Sequence, residues 1–206
     1  MPATSAVTEE SPTQPINPYG RTKLMSEWVI QDTAFAHSDF SFVILRYFNV
    51  AGADPKGRIG QCTPNATHLI KVACQTALGQ RDHLDVYGTD YPTPDGTCVR
   101  DYIHVVDLAI GHIKALEKIA SHSGVYTYNL GSGQGTSVLE LVTAFEKVNG
   151  VPVPYQVVDR RPGDVATCYA NADKALAELH WKTEKTIEDM CRDTWNWQSK
   201  NPNGYQ

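Results

Sequence analysis

A chain of 206 residues has room for one ordinary domain with a substantial core, or for two small lobes. Its formal net charge of −5 gives no electrostatic reason to expect nucleic acid or an anionic membrane as partner, and no stretch approaches the ~20 apolar residues a membrane span needs. The five cysteines, Cys62, Cys74, Cys98, Cys168 and Cys191, form no C-x-x-C pair, so they suggest neither a zinc site nor a disulfide framework and read as reduced thiols in the cytoplasm.

Residues 1–18 hold four prolines and several Ser/Thr, with neither a basic start nor an apolar run of the signal-peptide kind. They read as a loop ending at Asn17-Pro18, a good helix entry. Apolar residues at Leu24, Trp28, Val29 and Phe35 then predict a helix over Tyr19–Ala36. "FSFVILRYFNVAGAD" is a β-branched and aromatic run, as expected of a strand buried on both faces. "THLIKVACQTALG" reads as a helix stopped by Gly79, and "HLDVYG" as a short strand before the turn-rich "TDYPTPDGT". "VRDYIHVVDLAIGHIKALEKIA" begins extended and becomes helical, "GVYTYNLGSG" reads as a strand, and "SVLELVTAFEKVNG" as an amphipathic helix ending at Gly150. "VPYQVVDRRPGD" reads as strand and loop, and helices over Asp173–Leu179 and Thr186–Gln198 follow. Strands alternating with helices argue an α/β fold with a mostly parallel sheet.

The motif with most chemistry lies in "INPYGRTKLMSEW". At positions i and i+4, Tyr19 and Lys23 share a helix face, and an ammonium beside a phenol favours its ionised form, the state in which Tyr19 accepts a proton from a hydroxyl. The pair alone is a weak signal that an ordinary surface helix also produces.

Its context is more specific. "EESPTQP", "NPYGRTK", "LRYFNVAGAD", "VYGTDYPTPDGTCVRDYIHVVDLA", "YNLGSGQGTSV", "DRRPGDV" and "DTWNWQSKNPNGY", in that order, closely resemble the UDP-glucose 4-epimerases (UDP-galactose 4-epimerases) of the extended short-chain dehydrogenase/reductase family, over essentially the whole chain. The resemblance implies a Rossmann-like doubly wound sheet plus a smaller α/β substrate domain. Residues 1–55 correspond to a remnant of the NAD-binding domain. Residues 56–206 are mainly the UDP-sugar domain, with about 99–133 returning to the Rossmann sheet.

The resemblance also implies roles. Tyr19 is the base on the 4-hydroxyl of the hexose while NAD accepts the hydride from C4, and the 4-keto sugar turns and takes the hydride back on its other face. Lys23 binds the nicotinamide ribose, Phe48 lies by the nicotinamide, and Asn49 contacts the UDP-sugar. Arg100 and Arg161 meet the diphosphate, since a guanidinium fork suits phosphate oxygens, and Asp164 bonds the nucleotide ribose. Asp85 and Tyr87 hold the uracil, and Leu69 belongs to a motif that usually reads Asn-Leu, with His68 replacing the asparagine. Cys168 stands where many members carry tyrosine beside the sugar C2 substituent, so the smaller residue predicts tolerance of UDP-N-acetylhexosamines. UDP-galactose and UDP-glucose are the implied substrates, and a homodimer is the family's usual state.

"LGSGQGTS" spaces Gly131, Gly133 and Gly135 as G-x-G-x-G, not the G-x-G-x-x-G of a dinucleotide loop. The resemblance places it late, in a structural turn. The family's Gly-rich NAD loop and a catalytic Ser/Thr both match nothing here, so the expectation is a chain that begins inside the family's sequence, binds NAD poorly and turns over little alone. Two other readings remain open from sequence: a non-catalytic UDP-sugar-binding or interaction module, and a nucleotide-sugar 4,6-dehydratase fragment.

Overall fold

Helix α1 (Pro18–Ala36) starts where the sequence supplies a cap. Asn17 Oδ1 accepts the Gly20 N–H at 2.8 Å, and Pro18 takes the first turn, where its missing N–H has no intrahelical partner to lose. In this computed structural model, residues 6–63 and 65–205 are described, so the first part of the expected N-terminal loop, residues 1–5, lies outside the described residues.

The single strand expected across "FSFVILRYFNVAGAD" is two. β1 (Phe42–Tyr47) pairs in parallel with β5 (Val125–Leu130), and β2 (Asn49–Ala51) pairs in parallel with β4 (Val99–His104). Phe48 stands at the break, its N–H donating to Leu130 O at 3.3 Å. The expectation of burial on both faces also fails, because Ile44 is the sole fully buried residue of β1. Among the described residues β1 pairs with β5 alone, and α1, with no buried residue of its own, covers it thinly.

β4 is the hub of the middle sheet. Besides β2 it pairs with the antiparallel β6 (Gly135–Ser137) and the parallel β8 (Thr167–Cys168). These two pieces are too short for a period of two to show in sequence. A third sheet joins β3 (Leu84–Tyr87) in parallel to β7 (Tyr155–Val158).

Two cores hold these sheets. In one, α2 (Leu69–Ala77), α4 (Val138–Asn149) and α6 (Ile187–Gln198) pack Cys74, Leu141, Phe145, Met190 and Cys191 against Leu84 and Val86. Both α4 and α6 open on capping boxes, Ser137 with Glu140 and Thr186 with Asp189, and α4 stops at Gly150 in the left-handed region (φ 66°). The other core sets α3 (Val105–Ser121) and α5 (Asp173–Leu179) with Ile103, Tyr128, Leu130, Ala175, Leu179 and Trp181. The architecture is α/β with mainly parallel pairing, and no helix among the described residues is long and apolar enough to cross a membrane.

Candidate active site

A cleft of about 1430 Å³ takes its walls from α1, the β1–β2 break, the 59–72 segment, β3, β4, α3 and the 161–168 segment. Of the residues singled out from sequence, Tyr19, Phe48, Asn49, His68, Leu69, Asp85, Tyr87, Arg100, Arg161, Asp164 and Cys168 all line it. Lys23, one turn along α1 from Tyr19, is not among its walls.

At the α1 end, the Lys23 ammonium sits 5.4 Å from the centre of the Tyr19 ring, the geometry that i, i+4 spacing predicts. Tyr19 is 71% exposed. Neither the Tyr19 hydroxyl nor the Lys23 ammonium has a hydrogen-bond partner among the described residues, so both are open to a ligand.

Opposite, a carboxylate gathers two guanidiniums. Asp164 accepts from Arg161 Nε at 3.0 Å and lies 3.5 Å from Arg100 Nη2. Arg161 also lies over the Tyr87 ring, 4.6 Å from its centre, a cation–π contact that fixes the side chain against β3. Two cations around one anion leave net positive charge at this wall, which suits a ligand with more than one negative charge. Cys168 is the register partner of Arg100 across β4 and β8. Burial pushes its thiol up, against the opposing pull of Arg100, so Cys168 is held as a neutral thiol and a small wall rather than a nucleophile.

At the β3 end, Asp85 accepts from Gln156 Nε2 at 2.9 Å, with His83 Nε2 at 3.5 Å. His68 stands at the N-cap of α2 without capping it; instead its Nδ1 faces the Gln61 side-chain nitrogen at 3.0 Å.

The glycine-spaced turn does something other than bind a phosphate. Asp101, fully buried on β4, accepts from Ser132 N (2.8 Å), Ser132 Oγ (2.6 Å), Gly133 N (3.1 Å) and Ala170 N (3.0 Å). The cradle is filled by the chain's own carboxylate. A Cβ on Gly131 would stand 2.5 Å from Asp101 Oδ2, which is why that position is glycine.

Sequence reasoning missed several cleft residues. Lys71 interrupts the apolar run "LIKVA" yet is almost wholly buried, and that charge in an apolar face was the available signal. Tyr102 on β4 and Val105, Ala109, Ile110 and Ile113 on α3 form an apolar wall. Their periodicity predicts burial but not which face is left open.

The family profile described as GDP-mannose 4,6 dehydratase matches residues 2–194. UDP-glucose 4-epimerase of Bacillus subtilis is 54% identical over 208 residues, covering 100% of this chain and 61% of the relative. UDP-glucose 4-epimerase from Bifidobacterium longum, solved in complex with NAD+ and UDP, superimposes with a TM-score of 0.93 at 49% identity, covering 99% of this chain and 61% of that one. The UDP-Glc/GlcNAc 4-epimerase of Campylobacter jejuni superimposes with a TM-score of 0.78 at 43% identity, over 97% of this chain and 60% of that one. The chain therefore spans about three fifths of the length of these relatives, and it belongs to the GDP-mannose 4,6 dehydratase family, within which its kin are UDP-glucose 4-epimerases.

Proposed function

We propose that this chain carries the UDP-sugar site and the acid/base pair of a UDP-glucose 4-epimerase, interconverting UDP-galactose and UDP-glucose. The observation that carries the reading is the single cleft shared by Tyr19, Phe48 and Asn49 at one end and by Tyr87, Arg100, Arg161 and Asp164 at the other. The dehydratase reading has less support, because the relatives at about half identity carry the epimerase name.

NAD is the cofactor in this reading, and when bound it takes and returns the hydride at C4 of the sugar. The described residues suit its nicotinamide end: Tyr19 and Phe48 line the cleft, and the partnerless Lys23 ammonium stands ready for a ribose hydroxyl. For the pyrophosphate end the described residues offer no equivalent, since Asp101 fills the glycine turn.

Tyr19 takes the proton of the sugar 4-hydroxyl and returns it to the oxygen after the sugar has turned. Lys23 stands beside the ring, its ammonium 5.4 Å from the ring centre. Asn49 holds the sugar. Arg100 and Arg161 clamp the diphosphate, and Asp164, freed in part from its two arginine contacts as phosphate oxygens replace it, bonds the ribose. Asp85 and Tyr87 hold the uracil, and Leu69 and His68 contact the UDP-sugar. Room for the sugar to turn comes from the width of the cleft and the small Cys168, which also admits an N-acetyl group at C2 and so extends the substrates to UDP-N-acetylhexosamines.

We further propose the two-part division stated above, with residues 1–55 and about 99–133 on the dinucleotide side and the rest of 56–206 mainly on the UDP-sugar side. The pairing of β1 with β5 supports it. A homodimer follows from the family assignment, and a reducing compartment such as the cytoplasm from five free thiols.

The test is conversion of UDP-galactose to UDP-glucose by the purified protein with excess NAD. Turnover that disappears in Tyr19→Phe supports the reading, whereas no turnover by the parent favours a UDP-sugar-binding module that does not turn over alone. Turnover that persists in Tyr19→Phe contradicts the assignment of the base.

A further inference from the structure

The C-terminal end of the chain grips one rim of the cleft. Gly60 donates its N–H to the Tyr205 hydroxyl at 3.2 Å, and the same hydroxyl lies 3.2 Å from Gly60 O. The Trp197 and Tyr205 rings meet at 4.9 Å. A Cβ on Gly60 would overlap Trp197, and one on Gly204 would overlap the Cys62 sulfur, so glycine at both positions permits the tail to close on the 60–62 segment.

At the centre of this grip is Lys71, 4% exposed on α2. Its Nζ donates to Gln61 O at 3.0 Å and to the Gln198 side-chain oxygen. The Gln198 amide in turn donates to Asn201 O and Pro202 O, each at 3.1 Å. On the cleft side, Gln61 reaches His68 Nδ1 through its own side chain. Lys71, Gln61 and His68 all line the cleft.

A buried ammonium is costly unless its donors are used. Burial lowers the Lys71 pKa from its ordinary value, with the nearby Cys74 and Cys62 opposing that shift. A methionine of similar volume fills the same space without this cost, so core packing alone does not call for lysine here. What lysine adds is a second tie, through α2, between the tail and the 60–62 segment that the Gly60–Tyr205 bonds also join.

We infer that Lys71 is a positioning residue for nucleotide binding: it ties the C-terminal tail to Gln61 and, through Gln61, sets the His68 ring at the UDP end of the cleft. This rests on the reading of His68 and the cleft given above. The ring makes no other side-chain bond among the described residues, so its orientation depends on Gln61, and Gln61 is pinned at its carbonyl by Lys71.

The experiment is calorimetric titration of UDP into the full chain, with melting temperature recorded for each variant. Lys71→Met is expected to weaken UDP binding about tenfold, and Gln61→Ala, at a half-buried position, about fivefold, each through loss of one oriented hydrogen bond. Because both act through one relay, the double variant is expected to bind no more weakly than Lys71→Met, whereas independent packing effects multiply. Lys71→Arg, which keeps donors for both acceptors, is expected to restore binding to within about twofold of the parent. Lys71→Gln, polar and neutral, reads in the same way if Lys71→Met does not fold. Undiminished binding in Lys71→Met or Lys71→Gln, or losses that multiply in the double variant, overturn the inference and leave the cleft assignment standing. Absence of UDP binding by the parent chain overturns both.

Discussion

Two regions meet in one cleft and are held in opposite ways. α1 brings Tyr19 and Lys23 yet buries none of its residues, and it leaves Phe35 at 96% exposure. Its chief tie to the sheet is the bidentate pair of Glu27 with Arg46, at 2.8 and 2.6 Å, with Arg46 also donating to Glu9 O. The α2–α4–α6 lobe, behind the proposed UDP end, closes on Cys74, Leu141, Phe145 and Cys191, none of them exposed. In the proposed reading, acid/base chemistry sits on a thinly packed helix, while nucleotide recognition sits on a dense core. Stability and catalysis should respond to different substitutions as a result.

The sharpest way to break that contrast is to truncate a core ring. Phe145→Ala, which also removes the edge contact with Trp195 at 5.9 Å, is expected to cost about 3–5 kcal/mol in chemical denaturation. Next comes Asp101→Ala. It strands the Ser132, Gly133 and Ala170 amides beneath the glycine turn, with an expected cost of about 2–4 kcal/mol in the same measurement. By contrast Trp28→Ala, on the open face of α1, is expected to change stability by no more than about 0.5 kcal/mol. A Trp28→Ala cost comparable to Phe145→Ala would erase the distinction between the two regions. Amide exchange sharpens it: α1 should exchange through local opening well before α4 and α6, and Glu27→Gln should speed exchange in α1 alone.

A smaller effect concerns acid. His104 is fully buried, its Nδ1 accepts the Val106 N–H at 3.1 Å, and its Nε2 lies 3.2 Å from Asp193. Burial lowers its pKa below the ordinary 6.5, more than the charges of Asp193 and Asp107 raise it, and Lys185 adds to the lowering. Between the folded and unfolded values the unfolded chain binds more protons, so stability rises with pH there and is lost as pH falls below about 6.5. His104→Asn keeps an oxygen to cap α3 and removes the titration, so its stability should fall less steeply between pH 7 and 5.

Much of this was legible in the sequence because it is local. The Asn17-Pro18 entry and the stop at Gly150 are short-range signals, and the structure follows them. The G-x-G-x-G spacing could be set aside as a dinucleotide loop on spacing, but its filling by Asp101 could not be foreseen, since the two lie on strands paired 30 and more residues apart. The break at Phe48 was hidden for the same reason: β1 and β2 pair with different partners, and pairing is a long-range choice. Lys71 shows the third limit. A charge in an apolar run signals a partner, but Gln198 is 127 positions away.

The measurement that bears most directly on the account is titration of UDP into the parent chain and into Arg161→Ala, with melting temperatures recorded alongside. Arg161 is half exposed and its side chain touches Asp164 and the Tyr87 face, so its loss should spare the fold. The account predicts saturable binding of UDP by the parent, weakened at least about tenfold in Arg161→Ala with little change in melting temperature. No binding by the parent, or equal binding by the variant, would contradict it.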